Sequence, residues 1–215
     1  MLNLKAIGFL LAAVVLSGCA TSSTPDVSYD GLTLVPDARF GDAVYRLPGA
    51  DLSGYEALGL VDCEVAFRKN WLRDQNRASI DLTRRVTQQD VDRIRDALAE
   101  ECDTAFRSAL LEAPAYTLTE SFDAGEAVLI LRPSIVNLDV SAPDVATSAR
   151  TRTYTTSTGE MTLVLEAIDG TTGQILARVI DRQRGRESFG MDLSSSILAR
   201  WAEQLRKAVD AVVRS

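Results

Sequence analysis

The 215-residue chain contains no histidine. That removes every catalytic arrangement that uses an imidazole as base, the Ser-His-Asp triad and the Cys-His pair among them, together with the commonest metal ligand. No Gly-x-Ser-x-Gly elbow, Ser-x-x-Lys pair or phosphate-binding glycine loop occurs either, so the usual signatures of acyl and phosphoryl transfer are missing. Basic residues are outnumbered 23 to 30 by acidic ones, the opposite of the footprint expected of a nucleic-acid binder. No internal repeat is visible. Long apolar runs are also scarce: one stands at Ala6–Leu16, and its eleven residues fall short of the roughly 20 needed to cross a bilayer as a helix.

What that run does have is the form of a secretory signal. Met1–Lys5 carries one positive side chain, Ala6–Leu16 is the apolar core, and Leu16-Ser17-Gly18-Cys19 follows. The last four residues look like a bacterial lipobox. In such a sequence Cys19 is lipidated on its thiol, becomes the mature N-terminus and is acylated again on its amine. Each buried methylene contributes about 0.8 kcal/mol and one chain holds only marginally, so several chains make a stable anchor. Ala20 stands where an aspartate would resemble an inner-membrane retention signal, so the expected address is the periplasmic face of the outer membrane.

Residues 1–18 are therefore expected to be a signal peptide, 19–30 a lipidated flexible tether interrupted by Pro25, and 31–215 a single domain. Cleavage removes Lys5 and leaves a mature net charge of −8 from 22 basic and 30 acidic side chains. In residues 31–52 short apolar pieces alternate with Pro36, Gly41, Pro48 and Gly49, which predicts an ordered strap lying over the domain surface. Tyr55–Phe67 reads as a strand, with Val61, Cys63, Val65 and Phe67 on one face. Thr87–Ala113 reads as a long helix. Thr87 and Asp90 form a capping box, Val91, Ile94, Leu98, Cys102, Ala105, Phe106 and Ala109 make one stripe, and Pro114 ends it.

Ala127–Val140 is apolar on both faces at its start, the mark of a central strand, and Pro133 within it predicts a bulge or bend. The stretch Arg150–Tyr154 alternates Arg and Tyr with Thr and suits either a protruding β-arm or a solvated edge. Glu160–Asp169 and Gln174–Arg182 form a hairpin around Asp169-Gly170-Thr171-Thr172-Gly173, which lacks the alternating acids of a calcium loop. A second helix follows with the stripe Ile197, Leu198, Trp201, Leu205, Ala208, Val209 and Val212. The order β-α-β-β-β-α predicts an α+β two-layer sandwich: a mixed, mostly antiparallel sheet of about four strands with two long amphipathic helices on one face.

Once Cys19 is lipidated only Cys63 and Cys102 remain. An oxidising compartment invites a disulfide between them. Against it, a mid-strand and a mid-helix cysteine belong to layers roughly 10 Å apart, while a bridge wants α-carbons within about 7 Å; a disulfide and two buried thiols both stand. One basic island occurs in this acidic chain: Arg68, Lys69, Arg73 and Arg77 surround Trp71, with Arg84 and Arg85 beyond. Such a patch suits anionic headgroups, peptidoglycan carboxylates or an acidic protein face; alternatively Trp71 plugs the core while the bases stay in water. Thirty acidic residues could still hide a carboxylate pair of the glycosidase type.

Asp30-Gly31-Leu32, Pro48-Gly49-Ala50-Asp51-Leu52-Ser53-Gly54-Tyr55, Val65-Ala66-Phe67-Arg68-Lys69-Asn70-Trp71 and Asp74-Gln75-Asn76-Arg77 resemble the Domain of Unknown Function 3313 family of Gram-negative bacterial lipoproteins. The resemblance spans the mature chain. It implies a lipoprotein address and carries no assigned activity, catalytic residue or cofactor. The sequence thus predicts a non-enzymatic binding or scaffolding domain, held at the membrane through Cys19, for an envelope protein or cell-wall partner. A carboxylate-dependent periplasmic hydrolase and a purely structural envelope component are the alternatives.

Overall fold

The computed structural model describes residues 24–77, 85–122, 127–140, 159–184 and 191–213. Among these run eight strands and three helices: β1 (Thr33–Leu34), β2 (Ala43–Arg46), β3 (Ala57–Leu60), β4 (Glu64–Phe67), α1 (Trp71–Arg77), α2 (Gln88–Leu111), β5 (Leu118–Thr119), β6 (Val128–Asp139), β7 (Glu160–Asp169), β8 (Ile175–Arg184) and α3 (Met191–Val213). The strands form one sheet in the order β1-β2-β8-β7-β6-β3-β5, with β4 also on β6. The α+β class holds. The expected four strands and two helices do not: the sheet has eight strands, and a third, short helix is present.

Two local causes account for three of the added strands, and β5, parallel to β3, is the fourth. The segment expected to be a surface strap supplies β1 and β2, and β2 pairs antiparallel with β8 from Ala43 opposite Ile180 to Arg46 opposite Ala177. It is an edge of the sheet, not a cover over it. The single strand expected over 55–67 is two, both parallel to β6: β3 pairs with its first half and β4 with its second. The Val61 N–H reaches the Leu131 carbonyl at 3.0 Å. The next rung of a parallel ladder would need a donor from residue 133, and Pro133 has none. The ladder stops there and resumes at Glu64 opposite Ser134.

The capping box forms as the spacing predicts: Thr87 Oγ1 accepts the Asp90 N–H and Asp90 Oδ2 accepts the Thr87 N–H at 2.9 Å. In α2 the buried stripe is Leu98, Cys102, Phe106 and Leu110; in α3 Ile197, Leu198, Trp201, Leu205 and Val209 are buried. The two helices pack on each other and on the sheet face carrying Leu58, Leu129, Leu131, Ile135, Leu163 and Leu165, forming the main core. Arg206 of α3 closes the C-terminal end of α2 by donating to the carbonyls of Ala109, Glu112 and Pro114 at 2.7–3.0 Å, groups a helix end otherwise leaves unpaired.

A smaller cluster of Leu32, Ala43 and Tyr45, with Leu34, Ile175 and Ile180 against it, lies on the other face of the sheet. Residues 26–34 reach it as a tight turn. Val27 bridges Thr33, the Ser28 N–H donates to Leu32 O and the Leu34 N–H to Asp26 O, both at 2.8 Å. Gly31 takes φ +84° at the bend, a conformation glycine adopts without a side-chain clash. Residues 26–30, expected within a flexible tether, are thus bound to the domain.

Candidate functional site

The basic island lies where β4 runs into α1. Asn70, at φ 65°, turns the chain so that the Trp71 indole enters the core: Trp71 is 1% exposed, its ring centroid is 4.3 Å from that of Phe67, and Nε1 donates to Val140 O at 2.7 Å. Trp71 is therefore a core plug and not a surface anchor. Five residues on, the Asn76 amide imitates a peptide unit. Its Nδ2 donates to Val86 O and its Oδ1 accepts the Val86 N–H, both at 2.8 Å. That pair pins the approach to α2 against α1, and nothing in the local sequence pattern signals it.

The five island residues separate by role. Arg68 donates to Asp139 and Asp74 at 2.7 Å each; both carboxylates raise its pKa, and Arg68 holds the Asp74 carboxyl below its ordinary 3.8. Arg73, 61% exposed, shares Asp74 at 3.2 Å. Two guanidiniums thus meet two carboxylates, and the surplus positive charge rests on exposed Lys69 and Arg77. Between α1 and the start of α2 an open groove of about 470 Å³ is lined by the apolar side chains Phe67, Trp71, Leu72 and Val91 together with Arg68, Arg73 and Gln88. Arg85 is exposed nearby; Arg84 lies outside the described residues.

A second recess of about 450 Å³ lies where β4 and β6 meet α2, lined by Cys63, Glu64, Arg95, Asp96 and Ser134 among others. Behind it Cys63 and Cys102 form a disulfide with Cα atoms 6.1 Å apart. The layer-spacing argument against this bridge fails because Cys63 sits in the break between β3 and β4, out of the regular ladder, where its N–H turns to Asp103 of α2 at 2.7 Å. Burial pushes the Asp103 carboxyl above its ordinary value. Among the described residues no group of three or more Cys, Asp or Glu side chains is placed to hold a metal ion.

On the face away from α2 and α3, Arg178 is 7% exposed and lies between Glu166, at 2.7 Å, and Asp30, at 2.5 Å. Glu166 also takes Arg132 at 2.5 Å. The Arg178 guanidinium holds the Asp30 carboxyl below 3.8, and the two acids push the Arg178 pKa upward against its burial. The hairpin turn is as the sequence predicts. Asp169 Oδ1 accepts from Thr172 N and Oγ1 at 2.6 and 2.9 Å, and Oδ2 accepts from Tyr55 Oη at 2.6 Å. The Tyr55 hydrogen bond, followed by those from the turn, keeps the Asp169 pKa low, while burial and the neighbouring carboxylate raise that of Tyr55. Cys19 and Arg150–Tyr154 lie outside the described residues.

The model of a family described as a protein of unknown function (DUF3313) matches residues 21–205. No curated protein matches the sequence. Among solved structures, a PelC dodecamer from Paraburkholderia phytofirmans is similar at TM-score 0.39 and 10% identity over 74% of this chain and 96% of that one. A neuraminyllactose-binding hemagglutinin homolog from Helicobacter pylori is similar at TM-score 0.33 and 9% identity over 74% of this chain and 83% of that one.

Proposed function

We propose, from the premise that the chain belongs to the family described as a protein of unknown function (DUF3313), that it is a lipid-anchored envelope protein that holds an acidic partner and performs no reaction. The observation that carries this reading is the groove beside α1. The Trp71 and Asn76 hydrogen bonds hold its lining in place, the guanidiniums of Arg68 and Arg73 lie along it, and exposed Lys69 and Arg77 stand on the same segment. An apolar trough rimmed by cations suits an extended segment bearing carboxylates, from an envelope protein or the peptide stems of the cell wall. The expected address, the periplasmic face of the outer membrane, rests on Leu16–Cys19 and Ala20.

Two measurements test it. A palmitate analogue labels the wild-type protein and not Cys19→Ala; equal labelling removes the anchor. A photocrosslinker at Leu72 captures an acidic partner in intact cells, and the double charge reversal Arg73→Glu, Arg77→Glu abolishes that product while leaving the melting temperature within a few degrees, since both side chains are exposed. Capture that survives the reversal removes the groove from the function.

A further inference from the structure

We infer that the turn formed by residues 26–34 is a membrane-contact element that holds the sheet's helix-free face against the lipid surface, with Tyr29 at the bilayer interface. The inference rests on the lipid anchor at Cys19 proposed above and adds an orientation that the anchor alone does not specify. A long flexible tether would let the domain tumble; the described structure leaves no such length. The domain already holds the chain at Pro25, whose carbonyl accepts the Tyr45 hydroxyl, and the six residue steps from there back to Cys19 span at most about 22 Å even when fully extended.

The turn itself cannot swing freely. Asp30 meets Arg178 through two hydrogen bonds, at 2.5 and 3.1 Å, the Tyr45 hydroxyl donates to Pro25 O at 3.1 Å, and Leu32 is 1% exposed. Yet on this fixed element the two large side chains nearest the anchor point outward: Val27 is 57% exposed and Tyr29 95% exposed. The turn therefore presents an aliphatic and an aromatic side chain to the outside on a backbone that is held in place. Tyrosine is suited to the headgroup level, where its ring meets acyl chains and its hydroxyl stays hydrated.

The chemistry beside the turn fits the same occupant. The ring of Tyr29 lies 5.5 Å from the Arg178 guanidinium, on the face away from α2 and α3. On that face Arg132, paired with Glu166, and Arg182, paired with Glu160, keep side chains 44% and 48% exposed, and Arg184, which shares Glu160, is 67% exposed, so guanidinium groups remain open to lipid phosphates. The groove beside α1 belongs to the helix-bearing part of the molecule, so a domain seated this way keeps the groove available to a partner in the periplasm.

The test uses the lipidated full-length protein in vesicles of phosphatidylethanolamine and phosphatidylglycerol with brominated acyl chains. Tyr29→Trp introduces a fluorophore at an exposed position, and its emission above that of the wild-type protein should fall to about half relative to unbrominated vesicles if the ring sits at the interface. Leu111→Trp, 50% exposed at the end of α2, should be unaffected. Adding Asp30→Ala to Tyr29→Trp should weaken the quenching by freeing the turn. Equal emission of Tyr29→Trp in both vesicles, in protein shown to carry acyl chains, overturns the orientation and leaves the anchor intact. Absence of acyl chains overturns both.

Discussion

Asp103 accepts the backbone N–H of Cys63 at 2.7 Å, one residue along α2 from the cysteine that closes the disulfide. The disulfide and the hydrogen bond meet at the break that Pro133 forces between β3 and β4. They hold α2 to the one place where that part of the sheet lacks its own ladder. A bridge across a sequence separation of 39 residues restricts the unfolded chain by about 4 kcal/mol on the loop-entropy account. Replacing both Cys63 and Cys102 by alanine should shift the urea midpoint by a corresponding amount; an unchanged midpoint would show that the bridge contributes nothing to stability.

The same carboxylate predicts an unusual pH response. Burial raises the Asp103 pKa in the folded state, so its contribution is most favourable in acid and is lost as pH rises through the folded value. Asp103→Asn keeps an oxygen for the Cys63 N–H and removes the buried charge. Stability at pH 7 should therefore rise, and the gain should vanish at pH values below 3.8, where aspartate is protonated in both states. Asp30 and Asp74 behave oppositely, held below 3.8 by Arg178 and Arg68. What they contribute is complete above 3.8 and disappears as pH falls through their lower folded values. NMR shifts of residues 26–34 followed on acidification should report release of the turn in that window; shifts unmoved until global unfolding would contradict it.

Arg178 joins elements that no local pattern connects. Removing its guanidinium leaves Glu166, 12% exposed, with Arg132 alone and Asp30 with no cation. Arg178→Met should cost about 3 kcal/mol, the scale for leaving one member of a buried pair uncompensated, and should raise amide exchange across residues 26–34. Methionine filling the site without loss would mean that packing and not charge sets the stability of the turn.

Trp71 and Arg73 are neighbours in one predicted island and should respond in opposite ways. Trp71→Ala empties a fully buried site and removes the bond to Val140, so a loss of about 3–5 kcal/mol is expected. Arg73→Ala, at an exposed position, should change stability by less than about 0.5 kcal/mol. Thermal unfolding of the pair separates support of the groove from its charged rim; equal losses would undo that division.

Much of this was legible in the residues themselves. Thr87 and Asp90 stand three apart and form the capping box; the stripes through Leu98, Cys102 and Phe106 and through Trp201 and Leu205 are buried as their spacing implies; and the run Val128–Leu131 has a strand on each edge, as a central strand should. Pro133 was visible as an interruption, but its effect fell on the neighbouring strand, which loses its ladder at Val61–Cys63. Two-residue and four-residue strands such as β1 and β2 carry too little periodicity to be distinguished from a strap. In the basic island, charge and aromaticity were readable, whereas the orientation of Trp71 and the neutralisation of Arg68 were not.

By itself the sequence determined the signal-like apolar run Ala6–Leu16 with Cys19 just beyond it, the absence of imidazole chemistry, the caps and stripes of the long helices and the α+β class. Each of these depends on residues within a few positions of one another, where sterics and helical or strand periodicity act directly. Tertiary structure alone decided that Asp30 meets Arg178, 148 residues away, that Asn76 splints Val86, that Cys63 approaches Cys102 and that residues 26–30 are bound to the domain. Those contacts depend on which strands become neighbours, and neighbourhood follows from burying the whole apolar surface at once rather than from any local preference.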